Sequence, residues 1–224
     1  MEKGPTLGKR VLAEGLGVFL FVFLGAGSVI AAKYAMLGNV SILAIAIANG
    51  IGLALAIAFS MKISGGHINP VVTLAAWING LIKGMDAIAY VIAQVAGALA
   101  AGLALVIAYP SAAGLAVHYG SPGLASGIGF WHGVLFEAIA TFFLVLMVLS
   151  VEMNKNAPRL SGFGVGLVVV LDVLAIGNFT GAAMNPARAV GPMVASGFVA
   201  NWPLYWIGPA IGAVVAALVY RLIR

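Results

Sequence analysis

Six long apolar stretches constrain what this chain can fold into. Each has about the 20 residues that a helix needs to cross the hydrocarbon core of a bilayer. They fall roughly at 8–32, 41–61, 85–109, 129–151, 161–178 and 203–222. Charged residues make up only 8% of the chain, whereas a soluble domain carries roughly 25%. The sequence therefore predicts an all-α membrane protein with six transmembrane helices in a single domain over 1–224.

The placement of charge predicts the orientation of these spans. The net charge is +5, and every basic residue except Lys33 and Arg188 falls in segments that share one side if the N-terminus is inside. The residues on that side are Lys3, Lys9, Arg10, Lys62, Lys83, Lys155, Arg159, Arg221 and Arg224. This bias follows the positive-inside rule and predicts cytoplasmic N- and C-termini in the cell membrane. It also explains the excess of basic over acidic residues, so no nucleic-acid partner is predicted.

The chain contains an internal repeat. The segment Ser64–Pro70 reads SGGHINP, and Thr180–Pro186, which lies 116 positions later, reads TGAAMNP. Similar offsets relate two further pairs, Glu14 with Glu137 and Gly97 with Gly212. Each half, about 8–109 and 129–222, holds three spans, so the second half must cross the membrane upside down. Inverted repeats of this kind place a solute site near the midplane, where broken helices meet.

Two further apolar stretches, 69–79 and 185–196, are too short to span. A helix of about ten residues is about 15 Å long, half of a ~30 Å hydrocarbon core. Asparagine is a favoured N-cap and proline is favoured at the next position. Asn69-Pro70 and Asn185-Pro186 therefore predict the N-termini of two half-helices that cross the core end to end.

The chemistry of such a junction favours water over ions. Each helix N-terminus carries roughly +0.5 of an elementary charge, which repels cations. With its oxygen used as a cap, each asparagine can offer its amide group to the lumen as a donor. A water that gives its lone pairs to both donors cannot accept a proton from the water behind it. The preceding segments, 64–68 and 178–184, are expected to run extended with carbonyls lining an aqueous path.

These motifs resemble the two signature loops of the aquaporin family. SGGHINPV and TGAAMNPAR carry the resemblance, which extends over all six spans and both half-helices. It implies pore motifs formed by Asn69, Pro70, Val71, Asn185, Pro186 and Ala187, although the family usually has alanine in place of Val71. It also implies a homotetramer with one pore per subunit.

The resemblance further implies a narrow selectivity filter of four residues. Arg188 matches the filter arginine, and a count without gaps gives Asn49, Val173 and Ala182 as the others. Water-selective members usually have an aromatic residue and histidine at the first two positions. The filter is thus expected to be wider here, with room for glycerol. Family glycerol channels usually carry aspartate after the arginine, whereas this chain has Ala189.

The roles of four other polar residues are each open to two interpretations. Glu14 and Glu137 are expected to support the pore loops, with a proton relay as the alternative. His67 either lines the pore or is a structural histidine. Asp172 enters the filter if the count slips by one residue. We favour a carboxylate near the outer end of its helix, bonded to loop backbone.

The expected function is passive, bidirectional, osmotically driven water flow that excludes protons and ions. Small neutral solutes such as glycerol are expected as further permeants. A glycerol facilitator is the first alternative, and an ion-coupled transporter is the second. The chain has no cysteine, and His67, His118 and His132 are scattered, so no thiol chemistry, metal or cofactor is predicted. An enzyme is not expected.

Overall fold

Helices build the structure, which is a computed structural model that describes residues 4–35, 41–154 and 162–224. No β-strand occurs in these residues. The helices are α1 (Leu7–Tyr34), α2 (Ser41–Ser64), α3 (Pro70–Ile78), α4 (Gly84–Ala108), α5 (Ser111–Leu115), α6 (Phe130–Met147), α7 (Phe163–Thr180), α8 (Pro186–Ser196) and α9 (Leu204–Ile223). Six helices in the described ranges are long and apolar enough to span a membrane, namely α1, α2, α4, α6, α7 and α9.

The six predicted spans correspond to these helices with shifts of a few residues. A π-helical turn, Val148–Glu152, extends α6 to the predicted end of its span. The segment that joins α4 to α6 contains α5 and a 3-10 turn at His118–Gly120. Among the predicted inner basic residues, Lys3, Lys155 and Arg159 lie outside the described residues.

Polar contacts identify which helix ends share a side. Arg10 pairs with Asp86 at 2.8 Å and joins the starts of α1 and α4. Arg221, near the end of α9, donates to the carbonyl of Ile78 at the end of α3. We call the side that holds the starts of α1 and α4 and the ends of α3 and α9 the N-terminal side, and we call the opposite side the far side. Trp131 and Trp202 are exposed at the far side, at the starts of α6 and α9, where interfacial aromatics are expected.

The two half-helices begin as the sequence predicts. Asn69 precedes α3, and its Oδ1 accepts from the Val71 backbone N–H at 3.0 Å. Asn185 precedes α8, and its Oδ1 accepts from the N–H groups of Ala187 at 3.0 Å and Arg188 at 3.2 Å. Proline occupies the first position of each helix. At 1.5 Å per residue, neither helix can cross a ~30 Å core alone.

Small residues bring the helices of each half into close contact. A Cβ built on Gly97 of α4 would collide with the carbonyl oxygen of Gly15 in α1. A Cβ on Gly212 of α9 would collide with the carbonyl oxygen of Ala138 in α6 in the same way. The same packing thus occurs in both halves, which confirms the inverted three-helix repeat. Such close backbone approach is how helices associate in lipid.

We expect Gly97→Leu to destabilise the protein by about 1–3 kcal/mol, because the added side chain must push α4 away from the α1 backbone. Gly8→Leu is the matched control, since nothing lies within 4 Å of a Cβ at Gly8. Thermal unfolding of the detergent-solubilised variants measures both. Equal melting temperatures for Gly97→Leu and Gly8→Leu would contradict the packing described here.

Candidate permeation site

The loops that lead into the half-helices are left-handed at several positions rather than extended. Ser64 ends α2, and residues 178–180 belong to α7, so the loops are shorter than predicted. Six residues have positive φ in three pairs related by the 116-residue offset, namely Gly65 with Gly181, Gly66 with Ala182 and Ile68 with Met184. Positive φ is unusual for a branched residue such as Ile68 (φ 55°) and costs about 1–3 kcal/mol. These loops therefore need support from behind.

Glu14 supplies that support in the first half. Its Oε1 accepts from Ser64 Oγ at 2.6 Å and from the His67 N–H at 3.0 Å. Its Oε2 accepts from the Ile68 N–H and from Gln94 Nε2, each at 2.7 Å. The side chain is completely buried. A single carboxylate from α1 thus fixes the loop on either side of its positive-φ turn.

Glu137 makes the equivalent contacts in the second half. Its Oε1 accepts from Thr180 Oγ1 at 2.7 Å and from the Ala183 N–H at 3.0 Å. Its Oε2 accepts from the Met184 N–H at 2.7 Å. The loop contacts match those of Glu14, since Ser64 corresponds to Thr180. These contacts fit the loop-support reading of the two glutamates.

A pair of tyrosines that the sequence analysis missed also holds the loops. The Tyr90 hydroxyl donates to the Ser64 carbonyl at 2.8 Å, and the Tyr205 hydroxyl donates to the Thr180 carbonyl at 2.7 Å. Both rings are buried. The two tyrosines lie 115 positions apart, the same offset that relates Gly97 to Gly212. That repeat offset was the signal that could have identified them.

The two asparagines bind each other's loops. Asn69 Nδ2 donates to the Met184 carbonyl, and Asn185 Nδ2 donates to the Ile68 carbonyl, each at 2.9 Å. Because a carboxamide nitrogen has two hydrogens, one per asparagine remains for a solute. At most one hydrogen of each amide is therefore left for the predicted role of donor to the lumen. The cross-bonds hold the two half-helix N-termini together.

The hydrogen-bond network favours one tautomer of His67. Thr73 Oγ1 lies 3.1 Å from the Asn69 carbonyl oxygen, 3.1 Å from Gln94 Nε2 and 3.0 Å from His67 Nδ1. All three contacts are hydrogen bonds at once when the hydroxyl donates to the carbonyl and His67 carries its proton on Nδ1. In that tautomer the other ring nitrogen, Nε2, is an acceptor. Only the first half has this network, because Ala183 and Ala189 occupy the positions of His67 and Thr73.

Arg188 lies on the far side of the asparagine pair. It is 4% exposed in the first turn of α8, and its Nη1 donates to the Gly120 carbonyl at 3.0 Å. A cavity of about 160 Å³ lies beside it and is also lined by Asn49 and Val173. Three of the four predicted filter residues therefore border one cavity. The fourth, Ala182, is buried in the adjoining loop and does not line it.

Asp172 does not lie near the outer end of its helix, where we expected it. It lies in the middle of α7, and its Oδ2 is buried without a hydrogen-bond partner in the described part of the chain. Among the described residues, no hydrogen bond joins it to the loop backbone at the helix end, and it does not line the cavity. Neighbours on a helix point about 100° apart, so the position of Val173 at the cavity turns Asp172 away from it. Val173, and not Asp172, therefore borders the cavity beside Arg188.

The remaining histidines lie away from the asparagine pair. His118 stacks on Phe198 with ring centroids 4.1 Å apart, and the His132 side chain is exposed in the first turn of α6. No group of three or more potential metal ligands occurs among the described residues.

Six spans and two half-helices that meet at their asparagine caps define an aquaporin-like membrane protein. The family model "Major intrinsic protein" matches residues 2–220, and the chain belongs to that family.

Similar proteins are known from plants and archaea. Aquaporin TIP2-1 of Arabidopsis thaliana is 41% identical over 220 residues, covering 95% of this chain and 86% of the plant protein. Aquaporin AqpM of Methanothermobacter thermautotrophicus is 34% identical, covering 96% of this chain and 97% of the archaeal one. The solved aquaglyceroporin of Plasmodium falciparum superposes with a TM-score of 0.81 over 97% of both chains. At 22% identity, that likeness concerns the fold.

We expect Glu14→Gln and Glu137→Gln each to lower stability by about 2 kcal/mol or more. The new amide donor would face the Ile68 or Met184 N–H, and a buried donor would lose its acceptor. Thermal unfolding in detergent measures the change. Asp86→Asn is the control, because it removes only a partly exposed ion pair, which is typically worth about 0–1 kcal/mol. Glutamine variants as stable as this control would contradict the loop-support role.

Proposed function

We propose that this protein is a passive, bidirectional channel for osmotically driven water flow across a membrane. The observation that carries the proposal is the cross-bonded pair Asn69 and Asn185, with one free amide hydrogen on each. A water oxygen at the junction accepts both hydrogens, so its own hydrogens point away along the path in either direction. The two helix N-termini add a positive field there. Water passes, while proton hopping and cation entry are disfavoured.

No covalent chemistry is involved, and the protein is not an enzyme. The acceptor nitrogen of His67 fits a role on the N-terminal side of the junction, where it can bind a hydrogen of the next water. Arg188 and its cavity fit the role of a filter on the far side, and Ala182 adjoins it. A proton relay through Glu14 and Glu137 is disfavoured, because donors of the loops occupy both carboxylates.

The proposal extends to the whole chain and its setting. Residues 1–224 form a single channel domain, with repeats at about 8–109 and 129–222. The concentration of basic residues on the N-terminal side supports cytoplasmic termini in the cell membrane. The family supports a homotetramer with a pore in each subunit.

Stopped-flow light scattering on proteoliposomes tests the water channel. An outward osmotic gradient should shrink vesicles with protein much faster than empty vesicles of the same lipid. Equal rates would remove the proposal. Solute uptake that requires a proton gradient would instead favour an ion-coupled transporter.

We expect Arg188→Val to raise proton flux or admit larger solutes by roughly tenfold or more. Removing a buried positive charge lowers the free-energy barrier to protons and larger solutes, and about 1.4 kcal/mol of barrier corresponds to a tenfold change in rate. Arg224→Val is the control, because Arg224 is exposed at the C-terminus. A fluorescent pH indicator inside the vesicles reports proton flux. Unchanged selectivity in Arg188→Val would count against the filter role.

Glycerol is the second candidate permeant, and the composition of the cavity favours it. No aromatic side chain is among the described residues that line this cavity, and Asn49 and Val173 occupy two of its walls. The Asn49 amide is bound to the carbonyls of Ile45 at 2.9 Å and Gly25 at 3.4 Å, which draws it back against the helices. The opening is thus less restricted than a filter with an aromatic residue and histidine.

We expect Val173→His to lower glycerol flux about tenfold while water flow changes much less. The larger ring narrows the cavity, and a barrier increase of about 1.4 kcal/mol slows permeation tenfold. Light scattering with sucrose and then glycerol gradients measures both fluxes. Val199→His, in an exposed loop, is the control. If the unmodified protein gave a glycerol flux no higher than that of empty vesicles, glycerol would be eliminated as a permeant.

A further inference from the structure

An ion pair on the N-terminal side reaches the first pore loop through one aromatic ring. Arg10 of α1 donates from Nη2 to Asp86 Oδ2 of α4 at 2.8 Å, and its Cζ lies 6.0 Å from the centre of the Tyr90 ring. The same ring meets the His67 imidazole in a T-shaped arrangement, with ring centroids 5.2 Å apart. We propose that Arg10 and Asp86 are positioning residues, which set the orientation of His67 by fixing the Tyr90 ring. The importance of that orientation for water flow rests on the proposed function.

The loop bond of Tyr90 leaves the plane of its ring undetermined. The hydroxyl donates to the Ser64 carbonyl at 2.8 Å, which fixes the tip of the side chain. Rotation about the bond between Cβ and Cγ turns the ring without moving the hydroxyl oxygen, and this torsion has broad minima in tyrosine. The groups that lie against the ring therefore decide its plane. Arg10 and His67 are two of these groups.

Asp86 holds the cation beside the ring. Asp86 and Tyr90 are four residues apart on α4, so their side chains lie on one face of that helix. A guanidinium within about 6 Å of an aromatic centroid is attracted to the ring, and a charge-assisted bond to a carboxylate fixes its place. The Arg10 and Asp86 side chains are only 28% and 21% exposed. The pair is thus shielded enough to restrain the ring as well as each other.

The ring contact supplies a second constraint on His67. The Nδ1 atom lies 3.0 Å from Thr73 Oγ1, and this bond fixes one nitrogen but not the plane of the imidazole. The energy of a T-shaped contact depends on the relative orientation of the two rings. A Tyr90 ring that Arg10 holds in place therefore restrains the imidazole plane. That plane sets the direction of Nε2, the nitrogen proposed as an acceptor for water.

The second half of the chain serves as an internal comparison. Its tyrosine, Tyr205, donates to its own loop at 2.7 Å, much as Tyr90 does. The repeat offsets of 123 and 115 residues place Gly133 and Asn201 at the positions of Arg10 and Asp86. Neither residue can form an ion pair. A tyrosine therefore holds a pore loop without an ion pair at these two positions.

The position of His67 differs between the halves in the same way. It is occupied by Ala183 in the second half. The cation, the carboxylate and the imidazole thus occur together in one half and are replaced together in the other. Since both halves have the tyrosine that holds the loop, the group that only the first half must orient is His67.

Nuclear magnetic resonance of the full chain with isotope-labelled histidine tests the orientation of His67. The signals of its ring are identified by their loss in His67→Ala. Arg10→Gln and Asp86→Asn should each shift or broaden these signals, and Arg10→Lys, which keeps a cation, should restore them in large part. Lys9→Gln is the matched control, because it removes the same charge from an exposed residue next to Arg10. Thermal unfolding in detergent checks that each variant is folded.

The resonance experiment has two outcomes that would overturn the proposal. One is a His67 signal that Arg10→Gln and Asp86→Asn leave unchanged. The other is an equal change in Lys9→Gln, which would indicate a general effect of surface charge.

Water flow into proteoliposomes tests whether the positioning acts on permeation. Arg10→Gln should slow the flow roughly two- to fivefold, the range expected for one partly exposed cation–π contact, and Lys9→Gln should not. In a His67→Ala background, Arg10→Gln should have little further effect, because it acts through His67. Equal slowing in both backgrounds, or no slowing at all, would overturn the proposal. If the unmodified protein passed no water, the proposed function would fail, whereas the His67 signals would still decide whether the ion pair positions that ring.

Discussion

Two hydrogen bonds hold the centre of this protein together, and the rest of the structure serves them. Asn69 donates to the Met184 carbonyl and Asn185 to the Ile68 carbonyl, each at 2.9 Å. Ile68 and Met184, whose carbonyls accept these bonds, adopt a positive φ, which costs energy. Glu14 and Glu137 offset that cost, because their carboxylates accept hydrogen bonds from the Ile68 and Met184 N–H groups. The helix contacts at Gly97 and Gly212 bring the glutamates within reach.

The two halves share a backbone but differ in their side chains, and the difference has a direction. The first half places a chain of polar groups, Gln94, Thr73 and His67, on the N-terminal side of the asparagines. The second half has alanine at the positions of His67 and Thr73, and instead brings Arg188 to the Gly120 carbonyl on the far side. On the proposed function, the far side excludes charge and the N-terminal side adds an acceptor for water. The two repeats thus carry side chains suited to two different tasks.

The spans and half-helices could be predicted because they depend on quantities that a sequence displays directly. Apolar length defines a span, and Asn-Pro defines a capped start. The loop conformations could not be predicted in this way, since positive φ at Ile68 and Met184 runs against the preference of those residues, and their N–H groups are bound by distant glutamates. Asp172 was misjudged for a related reason. Its depth in α7 depends on where the helix ends, and the helix ends two residues beyond the predicted boundary.

The position and orientation of water at the asparagine pair test the central claim most directly. Neutron diffraction from crystals soaked in D₂O would locate both the oxygen and the deuterium atoms. We predict a water oxygen at about 3 Å from both Asn69 Nδ2 and Asn185 Nδ2, with its deuterium atoms directed away from them. A junction without water, or asparagines bound to separate partners on unconnected surfaces, would contradict this account.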